Sequence, residues 1–270
     1  MPEGHLIHYL ANRINAELRP GPVTVTSPQG RFLASATQLD QHEISHAEAF
    51  GKHLFIDFAA PGPEHIVYIH LGLIGKLTFE TADADWGQIR LHIARGEVAA
   101  NLRGPQWCRL ISETEFAQAL AKIGEDPIRE DADPNKVWAK VSKSKRSIGS
   151  LLMDQKRFAG VGNIYRAEVL FRQGISPTRP GHNLTRMEFD AIWEDLVQLM
   201  RAGVITARID TVRPSHTPAA MGREPRKDDH GGEVYVYRRA GAACHVCNTP
   251  VAVTQAEGRN LFWCPNCQAN

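Results

Sequence analysis

The chain has 270 residues, 43% of them hydrophobic, with 31 Lys/Arg against 30 Asp/Glu. That is enough to bury a core in two domains, and too even a charge balance to name a partner. No run approaches the eighteen or so consecutive apolar residues of a membrane span. The start Met1-Pro2-Glu3-Gly4-His5 lacks a secretion signal, so a soluble, cytoplasmic protein without membrane contact is expected. The halves differ: residues 1–130 carry 11 Lys/Arg against 16 Asp/Glu, residues 131–270 carry 20 against 14. Such a split suggests a polyanion held mainly by the second half.

Residues 2–17 place Leu6, Leu10, Ile14 and Leu18 at steps of four, which predicts an amphipathic helix with Pro2 and Glu3 in its first turn. Loss of Met1 would free the secondary amine of Pro2, and the positive end of a helix would keep much of it neutral and nucleophilic. Proline and glutamate are also simply favourable in a first helical turn.

From Val23 to Leu110 the texture is short β-rich runs, at 23–26, 54–58, 66–70, 76–80, 89–93 and 97–102, separated by Gly and Pro turns. This predicts an antiparallel sandwich or barrel. Two spots stand out: Gly51-Lys52-His53, a lysine at a strand entry, and His70-Leu71-Gly72-Leu73-Ile74-Gly75, a strand end entering a glycine-flanked loop. Each is also compatible with ordinary turn chemistry.

A helix is predicted over 113–122, and the segment from Asp126-Pro127 to Asp133-Pro134 reads as a linker. Apolar spacing then predicts helices over 137–141, 148–154, 164–173 and 186–202. The stretch Lys156-Arg157-Phe158-Ala159-Gly160-Val161-Gly162-Asn163 is too glycine-rich for helix and delivers Asn163 to the start of the next one. Turn amides plus a helix N-terminus can cradle a phosphate, although a plain connector would look similar. Residues 214–232 lack periodicity and are expected to be a mobile loop, after which Val234 to Tyr237 would begin a hairpin.

That hairpin carries two Cys-x-x-Cys knuckles, Cys244/Cys247 and Cys264/Cys267. The spacing fits four thiolates closing on one structural Zn²⁺, with no open position for chemistry. His245 reads as solvent-facing rather than as a ligand. The zinc-pinned turn would present Arg259, in Gly258-Arg259-Asn260, as a rigid cation for a phosphate.

Together these residues resemble the formamidopyrimidine-DNA glycosylase and endonuclease VIII family over nearly the whole chain. The likeness rests on Pro2-Glu3, Gly51-Lys52, His70-Leu71-Gly72, the segment Leu152-Met153-Asp154-Gln155 through Gly160-Val161-Gly162-Asn163-Ile164-Tyr165, and Gly258-Arg259 with the four cysteines. It implies an α+β chain in three parts: an N-terminal helix and β-sandwich (1–130), a helix-two-turns-helix domain (131–232) and a zinc hairpin (233–270). It also implies a monomeric base-excision enzyme that acts on damaged double-stranded DNA, and on single strands as well. Pro2 is then the nucleophile, Glu3 the acid/base partner, and Lys52 the third member of the catalytic set. Lys52, His70, Asn163 and Arg259 would hold phosphates, with His70 as a potential third cation, and the cleft between the domains would grip bent DNA.

The departures bear on specificity. The chain starts Pro-Glu-Gly-His rather than the Pro-Glu-Leu-Pro-Glu of the 8-oxoguanine enzymes, which places it nearer endonuclease VIII; Leu6 departs from both branches, which often carry glutamate there. Leu73 stands where the purine-lesion branch inserts methionine, Arg103 could face the orphaned base, and the accompanying Phe wedge is missing. Oxidised pyrimidines, or abasic and single-stranded lesions, are therefore the expected substrates. The alternative on this scaffold is a lesion- or abasic-site-binding protein without catalysis.

Overall fold

The computed structural model describes residues 2–84, 86–227 and 232–269. Contacts divide the chain into two compact units, Met1–Lys122 and Ile123–Asn270.

In the first unit, helix α1 (Gly4–Glu17) precedes strand β1 (Thr24–Thr26), helix α2 (Leu33–Leu39) and strands β2 (Ile44–Phe50), β3 (His53–Phe58), β4 (Glu64–His70), β5 (Lys76–Thr81), β6 (Ile89–Arg95), β7 (Val98–Arg103) and β8 (Trp107–Ser112), closed by helix α3 (Glu113–Leu120). Among the described residues the strands form two four-stranded antiparallel sheets, ordered β1-β6-β7-β5 and β2-β3-β4-β8. Their inner faces share one core, in which Val25, Leu77, Leu91 and Leu102 of one sheet meet Leu54, Ile56, Val67 and Ile69 of the other. The period-two alternation of these residues is what sinks one face of each sheet and wets the other.

α1 buries Ile7, Leu10, Ala11 and Ile14 in the same core. The predicted helix differs at its start: it begins at Gly4, with Glu3 as the extended N-cap residue (φ −114°, ψ 175°) and Pro2 outside it. Two contacts set its direction. Arg19 Nε donates to Ile44 O (2.9 Å), and Asn15 exchanges hydrogen bonds with the backbone of Ala47 (2.7 and 2.8 Å). The helix therefore runs antiparallel to β2. Twelve residues from Asn15 back to Glu3 cover ~18 Å of helix, and five from Ala47 to Lys52 cover ~17 Å of strand. The N-terminus of α1 thus lies at the Gly51-Lys52 end of the sandwich.

The second unit holds α4 (Pro134–Val141), α5 (Ile148–Met153), α6 (Asn163–Arg172), α7 (Arg186–Thr206) and α8 (Pro218–Met221), then the hairpin strands β9 (Ala252–Ala256) and β10 (Arg259–Trp263). α7 opens with a Thr185/Glu188 capping box, and Ser147 caps α5. The segment read as a linker packs within this unit: Asp133 N donates to Glu125 Oε2 (2.8 Å) and Ala159 N to Glu125 O (3.0 Å).

Two further expectations change. Val234–Tyr237 alternates like a strand but is buried non-strand chain, because its amides turn inward to a carboxylate. Glu168 on α6, fully buried, accepts from Tyr235 N (2.6 Å), Val236 N (2.9 Å), Tyr237 N (2.9 Å) and Thr211 Oγ1 (2.6 Å). The expected loop over 214–232 is also built where it is described, with α8 inside it and Glu233 holding Arg223 (2.6 Å) and the amide of Arg226 (2.6 Å). Residues 228–231 of that loop lie outside the described residues.

Glu168→Ala would leave three amides without this acceptor, at about 1–3 kcal/mol for each buried group left unsatisfied, while the Thr211 hydroxyl keeps the Glu233 carbonyl (3.4 Å). Urea unfolding should show a loss of at least about 3 kcal/mol in the second unit, whereas a loss under about 1 kcal/mol would contradict this account of the segment.

Candidate active site and zinc hairpin

At one end of the first unit the chain gathers several residues singled out in the sequence. Phe50 and His53 pair across a two-residue turn in which Gly51 has φ +59°, and the turn presents Lys52. His53 pairs with His70 and His70 with Trp107 across the sheet. The rings follow: His70 stacks on Trp107 (centroids 4.5 Å) and lies 4.9 Å from the His53 ring.

Both histidines are held neutral. Burial first, then His70 and Lys52, push His53 down to about 4. Burial and Lys52 also lower His70, against a hydrogen bond with Gln106 that raises it. The amide of Gly72 donates to His70 Nδ1 (3.1 Å), so the neutral ring carries its proton on Nε2. In the chain without DNA, His70 is therefore a hydrogen-bond donor through Nε2. Gly72 needs its glycine: φ is +72°, and a Cβ there would come within 2.9 Å of Gln106 Cβ. Beyond it Leu73 and Ile74 project into solvent, 65% and 81% exposed.

Pro2 is half-buried and Glu3 fully buried, at the same end by the path of α1. Neighbouring His5 is buried too, and burial, then His8, drive it down to about 3. Arg103, read in the sequence as a residue that could face the orphaned base, is engaged within the sheet. Its guanidinium makes a two-armed pair with Glu80 (3.1 and 2.8 Å) and also binds Thr78 Oγ1 (2.8 Å) and Trp86 O (3.1 Å).

In the second unit, residues 154–162 form the turn between α5 and α6. Gln155 staples it by donating to Val161 O (2.8 Å) and accepting from Gly160 N (3.1 Å). Asn163 then opens α6, and its Nδ2 donates to Asn260 O (3.1 Å). Arg166 reaches the same carbonyl (3.0 Å) and pairs with Asn163 Oδ1. Two stretches distant in sequence, around Asn163 and around Arg259, are thus brought together, with Arg259 exposed beside Asn260 on the hairpin. Arg166 and Asn260 were not anticipated. The polar Arg166 inside an otherwise apolar helical stripe was the available signal.

The sulfurs of Cys244, Cys247, Cys264 and Cys267 lie within 4.8 Å of one another, with Cys244–Cys267 at 3.9 Å and Cys247–Cys264 at 3.4 Å. These separations exclude disulfides. They fit a tetrahedron of Zn–S bonds of ~2.3 Å, whose edges are ~3.8 Å. Amides of Val246 and Cys267 donate to the Cys244 and Cys264 sulfurs (both 3.4 Å), the support that thiolates need. The four residues would hold one structural zinc, which fixes the turn below Arg259. His245 is no ligand, but it is half-buried against Arg239 rather than solvent-facing. Gln268 locks the knuckle to the helical layer, accepting from Cys264 N (2.9 Å) and donating to Ile175 O (3.0 Å).

Residues 1–104 match the formamidopyrimidine-DNA glycosylase N-terminal domain, and residues 123–213 match the formamidopyrimidine-DNA glycosylase H2TH domain. With these two matches and the full-length relative below, the chain belongs to the formamidopyrimidine-DNA glycosylase/endonuclease VIII family of DNA glycosylase/AP lyase enzymes. Within it, the chain is 45% identical to Endonuclease 8 1 of Mycobacterium tuberculosis (strain ATCC 25618 / H37Rv) over 277 residues, covering 99% of this chain and 100% of that one. Lactococcus lactis Fpg shares the fold. Its wild-type complex with DNA containing an oxidised pyrimidine is 20% identical, with a TM-score of 0.80 and full coverage of both chains. Its complex with DNA containing an abasic site is 22% identical, with a TM-score of 0.79 over 99% of this chain and 100% of that one. Among the described residues no helix is long and apolar enough to cross a membrane.

The zinc reading predicts about one metal equivalent per chain. Chelation should raise hydrogen exchange across β9 and β10 while the two sheets of the first unit stay protected. An unchanged hairpin after metal removal would contradict a structural zinc.

Proposed function

We propose that this chain excises oxidised pyrimidines from DNA and cuts the strand at the resulting abasic site, with the Pro2 amine as nucleophile. The observation that carries the reading is the antiparallel run of α1 along β2, which brings Pro2 and Glu3 to the sandwich end that holds Lys52 and His70. The full-length likeness to Endonuclease 8 1 supports the endonuclease VIII side of the family, and with it the pyrimidine preference. The Lactococcus complexes support a DNA substrate extending across family members.

Once Met1 is removed, the Pro2 nitrogen is a secondary amine with a free lone pair. It attacks C1′ of the sugar as the base departs with the glycosidic electron pair and a proton, and opening of the ring gives an iminium. That cation makes the C2′ proton acidic. Its loss expels the 3′ phosphate (β-elimination), and loss of the C4′ proton then expels the 5′ phosphate (δ-elimination). Glu3 supplies a proton to the ring oxygen and accepts the one from C2′.

Lys52 and Arg259 contribute charge, and His70 and Asn163 neutral N–H donors, to the backbone around the lesion. Leu73, with Ile74 beside it, fills the gap left by the extruded nucleotide. Arg103, engaged by Glu80, supports that end of the sheet. Residues 1–130 then carry the chemistry, 131–232 the helical grip and 233–270 the zinc-held Arg259. The enzyme works as an intracellular monomer on double-stranded DNA and on single-stranded lesions.

One residue added ahead of Pro2 turns its nitrogen into an amide. That variant should keep its zinc and its affinity for abasic DNA yet cleave nothing, while Glu3→Gln should lose base excision and retain part of the cleavage of preformed abasic sites. Full cleavage by the extended variant would overturn the role of Pro2.

A further inference from the structure

We propose that Trp86 is a stacking platform for an unstacked nucleobase of the DNA substrate, held ready by the Arg103–Glu80 pair. Trp86, in the loop between β5 and β6, is 58% exposed although one face of its ring is covered: the guanidinium carbon of Arg103 lies 3.7 Å from the ring centroid. Arg103 Nε also donates to the Trp86 carbonyl (3.1 Å), so backbone and ring are gripped by one side chain. That side chain is itself fixed. Glu80, which takes both of its arms, accepts in addition from Thr78 Oγ1 (2.9 Å) and Asn101 Nδ2 (2.7 Å), and Asn101 is fully buried against His92 (2.7 Å). The Arg103 guanidinium against one face restricts the ring, which lowers the entropic cost of binding on its open face.

Position and surrounding chemistry select the ligand. Arg103 pairs with Lys76 on β5 and with Ile89 on β6. The exposed Leu73 and Ile74 therefore precede one of its neighbours, and Trp86 precedes the other. The three exposed apolar side chains flank Arg103 from two loops, at the sandwich end that also carries Lys52 and His70. On a nucleic acid the flat apolar surfaces are base faces, and the charge beside them is phosphate. The open face of Trp86, with the Arg103 guanidinium against its other face, matches such a base face. A base loses its stacking neighbour where a nucleotide is extruded, and the base opposite the lesion is the one offered first.

This inference rests on the reading that the chain acts on damaged DNA. It is tested with a duplex carrying a tetrahydrofuran abasic analogue opposite 2-aminopurine. Wild-type enzyme should quench the 2-aminopurine on binding. Trp86→Ala should bind roughly tenfold more weakly and leave the probe bright, with its melting temperature, zinc content and kcat on preformed abasic sites unchanged and only KM raised. Trp86→Phe should recover most of the affinity, while losing the Trp86 part of the DNA-induced change in tryptophan emission. Weaker binding that Phe rescues, with the probe unmoved, keeps the platform and assigns it to another unstacked base. Wild-type affinity in Trp86→Ala, or a loss that Phe does not restore, would overturn the proposal. Those outcomes differ from failure of the proposed function, in which the wild-type enzyme itself would not cut abasic DNA.

Discussion

A single buried carboxylate organises the half of the molecule that carries the zinc. Glu168 reaches from α6 to three consecutive amides of Tyr235–Tyr237 and to Thr211, so a segment that would otherwise seek a sheet partner is folded around one side chain. A buried anion is tolerable only when its lone pairs are filled, and here four donors fill them. The consequence is positional. The chain leaving Tyr237 enters the first cysteine knuckle at a set place relative to α6, and the first turn of that helix binds the hairpin through Asn163, Arg166 and the Asn260 carbonyl. Zinc then fixes the hairpin internally, and Glu168 and Asn163 fix it externally, so Arg259 is presented without a flexible hinge below it.

In the first unit the corresponding constraint is the alignment of α1 with β2. Helix rise and strand rise differ about twofold per residue, so twelve residues of helix and five of strand end together. That matching length takes the chain start to the Gly51-Lys52 turn. The electrostatics of this end are economical: Lys52 provides the cation, and burial, aided by Lys52, lowers the proton affinity of His53 and His70. Separating a charged group from a neutral donor limits the repulsion that two cations would generate in the absence of DNA.

The legible parts of the sequence were those that local spacing determines. Four cysteines at two-residue spacing and the glycine-rich turn before Asn163 could be read directly, whereas Pro2-Glu3, Lys52 and His70 became one set only through the family resemblance. Strands β2 and β8 could not. A register shift between Ile44 and His46 breaks the alternation of β2, and β8 is an edge strand with few buried positions. Val234–Tyr237 misled for the opposite reason, since its alternation is real but its amides bond to Glu168. The engagement of Arg103 by Glu80 and the exposure of Trp86 depend on the β5–β7 pairing, a non-local register that no window along the chain reports. The neutrality of His70 likewise comes from burial and from Lys52, on a different strand turn, and not from its own neighbours in sequence.

The central claim is that the nitrogen of Pro2 forms the covalent link to DNA. Borohydride reduction of enzyme mixed with abasic-site DNA, followed by proteolysis and mass mapping, tests it most directly. The account predicts a stable adduct on the peptide that begins at Pro2, attached through its α-nitrogen. An adduct at full yield on Lys52 or another lysine, with the Pro2 peptide unmodified, would contradict it.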